Sequence, residues 1–196
     1  MTAYPTLLDT ALPTDDRARR LMRDTAIALV GSLLLTLSAK TQIPFYPVPM
    51  TMQTFVIMVL GMALGPRLGA VTVMLYLGQG ALGLPVFAGT PEKGLGLAYM
   101  AGPTGGYLLG FVAGAWLCGA LAERGWDRSW LKSVAAAGLG HTAVFLFGFA
   151  WLALLVGAEK AFAVGVAPFW AATLLKTALA IAVLPPAWAA MRRLRG

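Results

Sequence analysis

Six long apolar runs constrain this chain more than any other feature. They cover about residues 21–39, 51–64, 68–84, 102–122, 133–156 and 169–191. Crossing a hydrocarbon core of about 30 Å takes roughly 20 apolar residues as helix, and most of these runs approach that length. The second run is short and reads as tilted or partly interfacial. Composition agrees: 59% of the 196 residues are hydrophobic and only 12% are charged, against about 25% charged in soluble domains. The expected fold is all-α: one polytopic membrane domain, residues 21–196, with six transmembrane helices behind a polar tail, residues 1–20. No cleavable signal peptide is expected, because the N-terminus is polar and a full-length span follows it.

The net charge of +7 would suit nucleic acid, but the basic residues sit in short blocks beside the apolar runs. That is the pattern of cytoplasmic membrane loops. With six spans, Arg17, Arg19, Arg20, Arg23, Arg67, Arg124, Arg128, Lys132, Arg192, Arg193 and Arg195 fall on one side. Only Lys40, Lys93 and Lys160 fall on the other. Eleven against three puts both termini in the cytoplasm. The setting is then a cell inner (cytoplasmic) membrane. The three outer loops, around Lys40–Pro49, Pro85–Met100 and Gly157–Ala167, are the longer ones, so a ligand site facing outward is expected there. The first carries three prolines yet is apolar, so it should lie on protein rather than in bulk water. Gly102, Gly106, Gly110 and Gly114 recur every four residues, which permits close helix approach in lipid. Cys118 is the sole cysteine, falls in an apolar run and reads as a packing residue.

One charge breaks the apolar pattern. Lys176 lies deep in the last run, and the acid inside another run, Asp24, sits at the start of the first beside Arg23, too far to neutralise it. A cation at that depth is costly and needs a partner or a watered cavity. Either an anionic ligand supplies the partner, or the lysine packs on backbone carbonyls, is hydrated through a crevice, or snorkels to an interface. Thr173 lies three residues away on the same helix face. Thr51, Gln53 and Thr54 open the second span, and Thr104 and Tyr107 open the fourth. Phe169 begins the sixth. All fall toward the outer side.

Other chemistries find no support in the residues. No GxxxxGK[ST] loop is present, so ATP is not bound by this chain in the usual way. His141 is the sole histidine and reads as structural or hydrogen-bonding, not as a metal ligand. No acid lies at a depth that would complete a Ser-His-Asp arrangement. An enzyme is therefore not expected, and no cofactor or metal.

The stretches IPFYPVPMTMQTF, LGPRLGA, GALGLPVFAG and GPTGGYLLGF, in that order, resemble the BioY family, the biotin-specific S components of ECF-type vitamin transporters. The likeness runs from about residue 26 to 180. It implies a six-helix membrane protein that captures biotin from outside, at a site lined by spans four to six and capped by the loop between spans one and two. It implies a transmembrane coupling subunit and ATPase subunits as partners, the latter binding the ATP. An S component for another small anionic or zwitterionic vitamin, or a solitary biotin transporter, is the alternative. The ligand contacts expected are Lys176, Thr173, Gln53, Thr51, Phe45, Tyr46, Phe87, Thr104, Tyr107 and Phe169. Ala28 and Ser32, four apart on span one, resemble the family's small-residue docking seam; internal helix packing is the other reading.

The family's span-six motif runs Pro-Phe and then Asp-x-x-Lys. Pro168, Phe169 and Lys176 match it, while Thr173 stands at the Asp position. A threonine brings hydrogen bonding but no charge. Thr173→Asp should therefore shift the affinity for biotin in an equilibrium titration. An unchanged affinity would place position 173 outside the pocket.

Overall fold

The structure, a computed structural model, describes residues 4–43 and 46–195. Five helical stretches among the described residues are long and apolar enough to cross a membrane: Arg17–Lys40, Gln53–Ala81, Gly105–Ala122, Trp130–Val156 and Ala158–Leu194. In chain order the elements are α1 (Leu7–Ala11), α2 (Arg17–Lys40), strands β1 (Gln42–Ile43) and β2 (Met50–Thr51), then α3 (Gln53–Ala81). They continue with α4 (Gly96–Met100), α5 (Gly105–Ala122), α6 (Trp130–Val156), α7 (Ala158–Gly165) and α8 (Trp170–Arg195).

α3 is one stretch of chain but not one rod. Gly65 has φ +82° and ψ 174°, a backbone conformation only glycine adopts without strain, and Pro66 follows. The chain folds back there. Residues 53 and 76 would lie about 35 Å apart in a straight helix, yet the Gln53 amide donates to the Tyr76 hydroxyl at 2.8 Å. Two antiparallel limbs, residues 53–64 and 66–81, result.

The limbs close on α5 because the facing positions lack side chains. A Cβ on Gly61 would stand 2.5 Å from the Ala115 carbonyl oxygen, and one on Gly119 would stand 2.3 Å from the Pro66 nitrogen. α5 meets α6 the same way. A Cβ on Gly106 would stand 2.4 Å from the Phe147 carbonyl oxygen, on Gly110 2.8 Å from Val144, and on Gly114 3.1 Å from the Gly140 carbonyl oxygen. Gly106, Gly110 and Gly114 of the four-residue spacing form this seam, while Gly102 lies before α5 against the Tyr99 carbonyl. Cys118 is buried beside it, within reach of Met58 and the Ala136 carbonyl.

α2 packs on the second limb of α3. Its buried residues Ala28, Ser32, Leu35 and Ala39 form one helical stripe. Ser32 accepts a hydrogen bond from Gln79 at 3.2 Å. Leu29, Val30, Leu33, Leu34 and Leu37 cover the opposite, exposed face. The docking expectation for Ala28 and Ser32 is thereby corrected. They are only 5% and 2% exposed, and their small side chains let α2 approach its neighbour inside this chain.

The end of the bundle around Gly65 is closed by the N-terminal segment. Thr6 caps α1 by accepting from the Asp9 amide, and Asp16 caps α2 through the Arg19 amide, each relieving an orphan donor. Arg23 bonds Asp9, Asp24 and the Leu12 carbonyl, tying α1 to α2. The Tyr4 amide donates to the Glu123 carbonyl at 2.8 Å. The Arg128 guanidinium lies between the rings of Tyr4 and Trp188, 4.7 and 4.2 Å from their centres. The Trp188 indole N–H donates to buried Asp127. Burial raises the Asp127 carboxyl above the usual carboxylate range, with the Trp188 bond and the nearby Arg128 charge pulling the other way. The other end of the bundle is built from residues 41–43, 46–52, 82–104 and 157–169.

The Gly119 contact tests this architecture. Both neighbours are backbone and cannot move aside, so Gly119→Val should destabilise the detergent-solubilised protein by about 3 kcal/mol, the upper range of overpacking. Gly138, with nothing within 4 Å of its Cβ position, supplies the control. Thermal unfolding should show a large fall for Gly119→Val and none for Gly138→Ala; equal melting temperatures would refute the packing described.

Candidate functional site

At the end of the bundle opposite Gly65 lies a cavity with about 50 Å³ of free volume between its lining side chains. Every long helical stretch except α2 contributes to its wall. α3 gives Gln53, Thr54 and Tyr76; α5 gives Tyr107, Leu108 and Phe111, with Thr104 just before it; α6 gives Val144 and Phe145. Phe169, Thr173 and Lys176 come from the last stretch. Val48, Pro49, Thr51, Phe87, Ala88 and Tyr99 close it from the connecting segments.

The aromatic side is held rigidly. Phe87 stacks on Tyr99 with ring centres 4.9 Å apart and meets Tyr76 edge-on at 5.5 Å. Phe87 can occupy that place because Gly80 has no side chain: a Cβ there would fall 2.0 Å from the ring. Tyr107 meets Phe145 edge-on, and Phe145 meets Phe169, at 6.4 and 6.1 Å. Tyr107 fits beside Gly148 and donates to the Gly165 carbonyl at 2.7 Å. These contacts hold the aromatic rings that line the cavity, an apolar slot, in place.

The connecting segments are pinned over the slot by polar bonds. Lys40, the last residue of α2, donates to the Phe87 carbonyl and to the Thr90 carbonyl and hydroxyl, at 3.0, 2.9 and 3.0 Å. Tyr76 passes a bond from Gln53 on to the Val86 carbonyl at 3.1 Å. Thr51 donates to the Gln53 side-chain amide oxygen at 3.2 Å. Tyr99 donates to the Ala88 carbonyl at 2.9 Å. Burial raises the Tyr99 phenol above its ordinary range, opposed by a hydrogen bond with Thr104, so it stays neutral at physiological pH.

Against these satisfied groups stands a second set that is not. The side chains of Thr54, Thr173 and Lys176 line the cavity and make no hydrogen bond or ion pair with any described residue. Lys176 is only 6% exposed. A buried ammonium with free donors beside two free hydroxyls can receive a carboxylate, while the aromatic slot takes an apolar body. No cluster of three or more metal-ligating side chains occurs among the described residues.

The structure brings together eight of the ten expected contact residues: Lys176, Thr173, Gln53, Thr51, Phe87, Thr104, Tyr107 and Phe169. Phe45 lies outside the described residues. Tyr46 is corrected: it is 85% exposed and is not part of the cavity wall. β1 and β2 pair antiparallel, Gln42 opposite Thr51 and Ile43 opposite Met50. Tyr46 therefore falls in the connection beyond the paired residues, while Val48 and Pro49 turn inward. Tyr76, Tyr99, Phe111, Val144 and Phe145 were not anticipated. An aromatic or β-branched residue inside an apolar run, or in an apolar connection as Tyr99 is, carries no mark distinguishing a pocket wall from core.

A sequence model described as the BioY family matches residues 10–193. Among curated proteins, the biotin transporter BioY of Thermotoga maritima is 38% identical over 162 residues, covering 81% of this chain and 92% of that protein. The probable biotin transporter BioY of Pyrococcus horikoshii is 35% identical over 161 residues, covering 82% and 93%. Among solved structures, the S-component for biotin from an ECF-type ABC transporter superposes with a TM-score of 0.74 at 24% identity, over 93% of this chain and 95% of that one. That likeness establishes the fold. The match along nearly the whole chain, the relatives and the shared fold agree, and the chain belongs to the BioY family.

Proposed function

We propose that this protein is the biotin-capturing S component of an ECF-type uptake transporter. Biotin has an apolar bicyclic body, a ureido group and a carboxylate. The slot between Phe87, Tyr99, Tyr107 and Phe169 suits the body, and Lys176 suits the carboxylate. The observation that carries the reading is the buried Lys176 ammonium, which lines the cavity with no acid bonded to it. The names of its relatives, biotin transporters, support the same ligand.

The chain crosses a cell inner membrane six times with both termini in the cytoplasm. The fold-back at Gly65 supports two crossings within α3. The arginine-rich segments, at Arg17–Arg23, Arg67, Arg124–Arg128 and Arg192–Arg195, then share the cytoplasmic side. The cavity faces outward. ATP is bound by partner ATPase subunits, which act through a transmembrane coupling subunit. This chain supplies capture and no catalysis.

Lys176→Met keeps the length and volume of the side chain and removes its charge. It should weaken biotin binding at least about 30-fold, equivalent to about 2 kcal/mol, the lower range for truncating a buried charge pair. Equilibrium dialysis with labelled biotin measures this. Unchanged affinity would remove Lys176 from the site.

A further inference from the structure

His141 is 2% exposed. Its Nδ1 lies 2.8 Å from the Ala137 carbonyl oxygen. A carbonyl only accepts, so Nδ1 carries the proton, and Nε2 of the neutral ring is left with a bare lone pair. Nε2 is buried and has no hydrogen-bond partner. An unpaired acceptor at this depth costs free energy and calls for an explanation.

The surroundings supply one. His141 sits one helical turn before Val144 and Phe145 on α6, so it lies just below the cavity wall. The Phe145–Phe169 contact sets α6 and the last helical stretch side by side at that level. In a helix each Cα–Cβ bond tilts toward the N-terminus. The N-terminal end of α8 is the cavity end, so the Lys176 chain rises from beneath toward the ligand space, passing the level of His141. No acid stands three residues before Lys176 on that helix, where Thr173 lies.

We propose that His141 is a positioning residue for Lys176. The two side chains are not hydrogen-bonded to each other in this structure; as ligand binds, the Nε2 lone pair takes one of the three ammonium protons and leaves the other two for the ligand. A neutral acceptor steadies the cation without neutralising it, which leaves the charge available to the ligand carboxylate; an acid in that place would compete with the ligand. The inference rests on the reading of Lys176 as the carboxylate contact.

The test measures biotin and biotin methyl ester, which lacks the anionic group, against wild type, Lys176→Met, His141→Leu, His141→Gln and the Leu/Met double variant. His141→Leu should weaken biotin about tenfold, the loss of one charge-assisted bond, while leaving the ester within about twofold. In the Lys176→Met background it should add nothing further. His141→Gln returns an acceptor near the Nε2 position, so it should stay within about threefold of wild type and keeps the test valid if the leucine variant folds poorly. Equal losses for biotin and ester, or for both Lys176 backgrounds, would make His141 merely structural and overturn the proposal. So would full affinity in both His141 variants while Lys176→Met is weakened. Wild type that binds no biotin would overturn the ligand reading itself, and this inference with it.

Discussion

A cation held in the interior of an apolar helical bundle, with no acid of the chain bonded to it, is the constraint on which the rest turns. Placing a lysine at the middle of a spanning helix costs about 2.5–3.5 kcal/mol, and the surroundings must offset it. Here the Lys176 ammonium opens onto a cavity instead of onto a carboxylate. In the proposed function that cost is met when an anion arrives, which favours molecules that bring both a negative group and an apolar body.

The bundle divides this labour between its ends. At one, glycine-lined seams draw α3, α5 and α6 to backbone contact, and the N-terminal segment ties α1, α2, the α5–α6 connection and α8 together through Arg23, Arg128 and Trp188. At the other, the chain spends its length on connections, and Lys40, Tyr76 and Tyr99 bond those connections by their carbonyl groups. Donors are satisfied where the wall must be rigid and left free where a ligand would meet them. The two ends depend on each other: the Gly65 turn that packs against Gly119 also brings Gln53 back beside Tyr76 at the cavity.

Much of this was legible in the sequence, for identifiable reasons. Apolar length and arginine placement marked the helices, because lipid and water impose different compositions. The four-residue glycine rhythm marked the α5–α6 seam. A lone lysine in an apolar run marked the cavity, and polar residues around the starts of α3 and α5 marked part of its wall. What stayed hidden is what lipid-facing and interior surfaces have in common. Tyr76, Tyr99, Val144 and Phe145 line the cavity but read as ordinary apolar content. Ala28 and Ser32 are small whichever way they face, and the sequence does not distinguish a seam with a partner from one within the chain; burial against α3 does. Tyr46 stands in solvent because strand pairing, not hydrophobicity, sets which part of the β1–β2 connection turns inward.

The most direct measurement is an experimental structure of the protein with biotin bound. The account predicts the bicyclic body between Phe87, Tyr99, Tyr107 and Phe169, with a carboxylate oxygen about 2.7–2.9 Å from Lys176 Nζ, the range of a charge-assisted hydrogen bond. Biotin bound with its carboxylate turned away from Lys176, or bound outside this cavity, would contradict it.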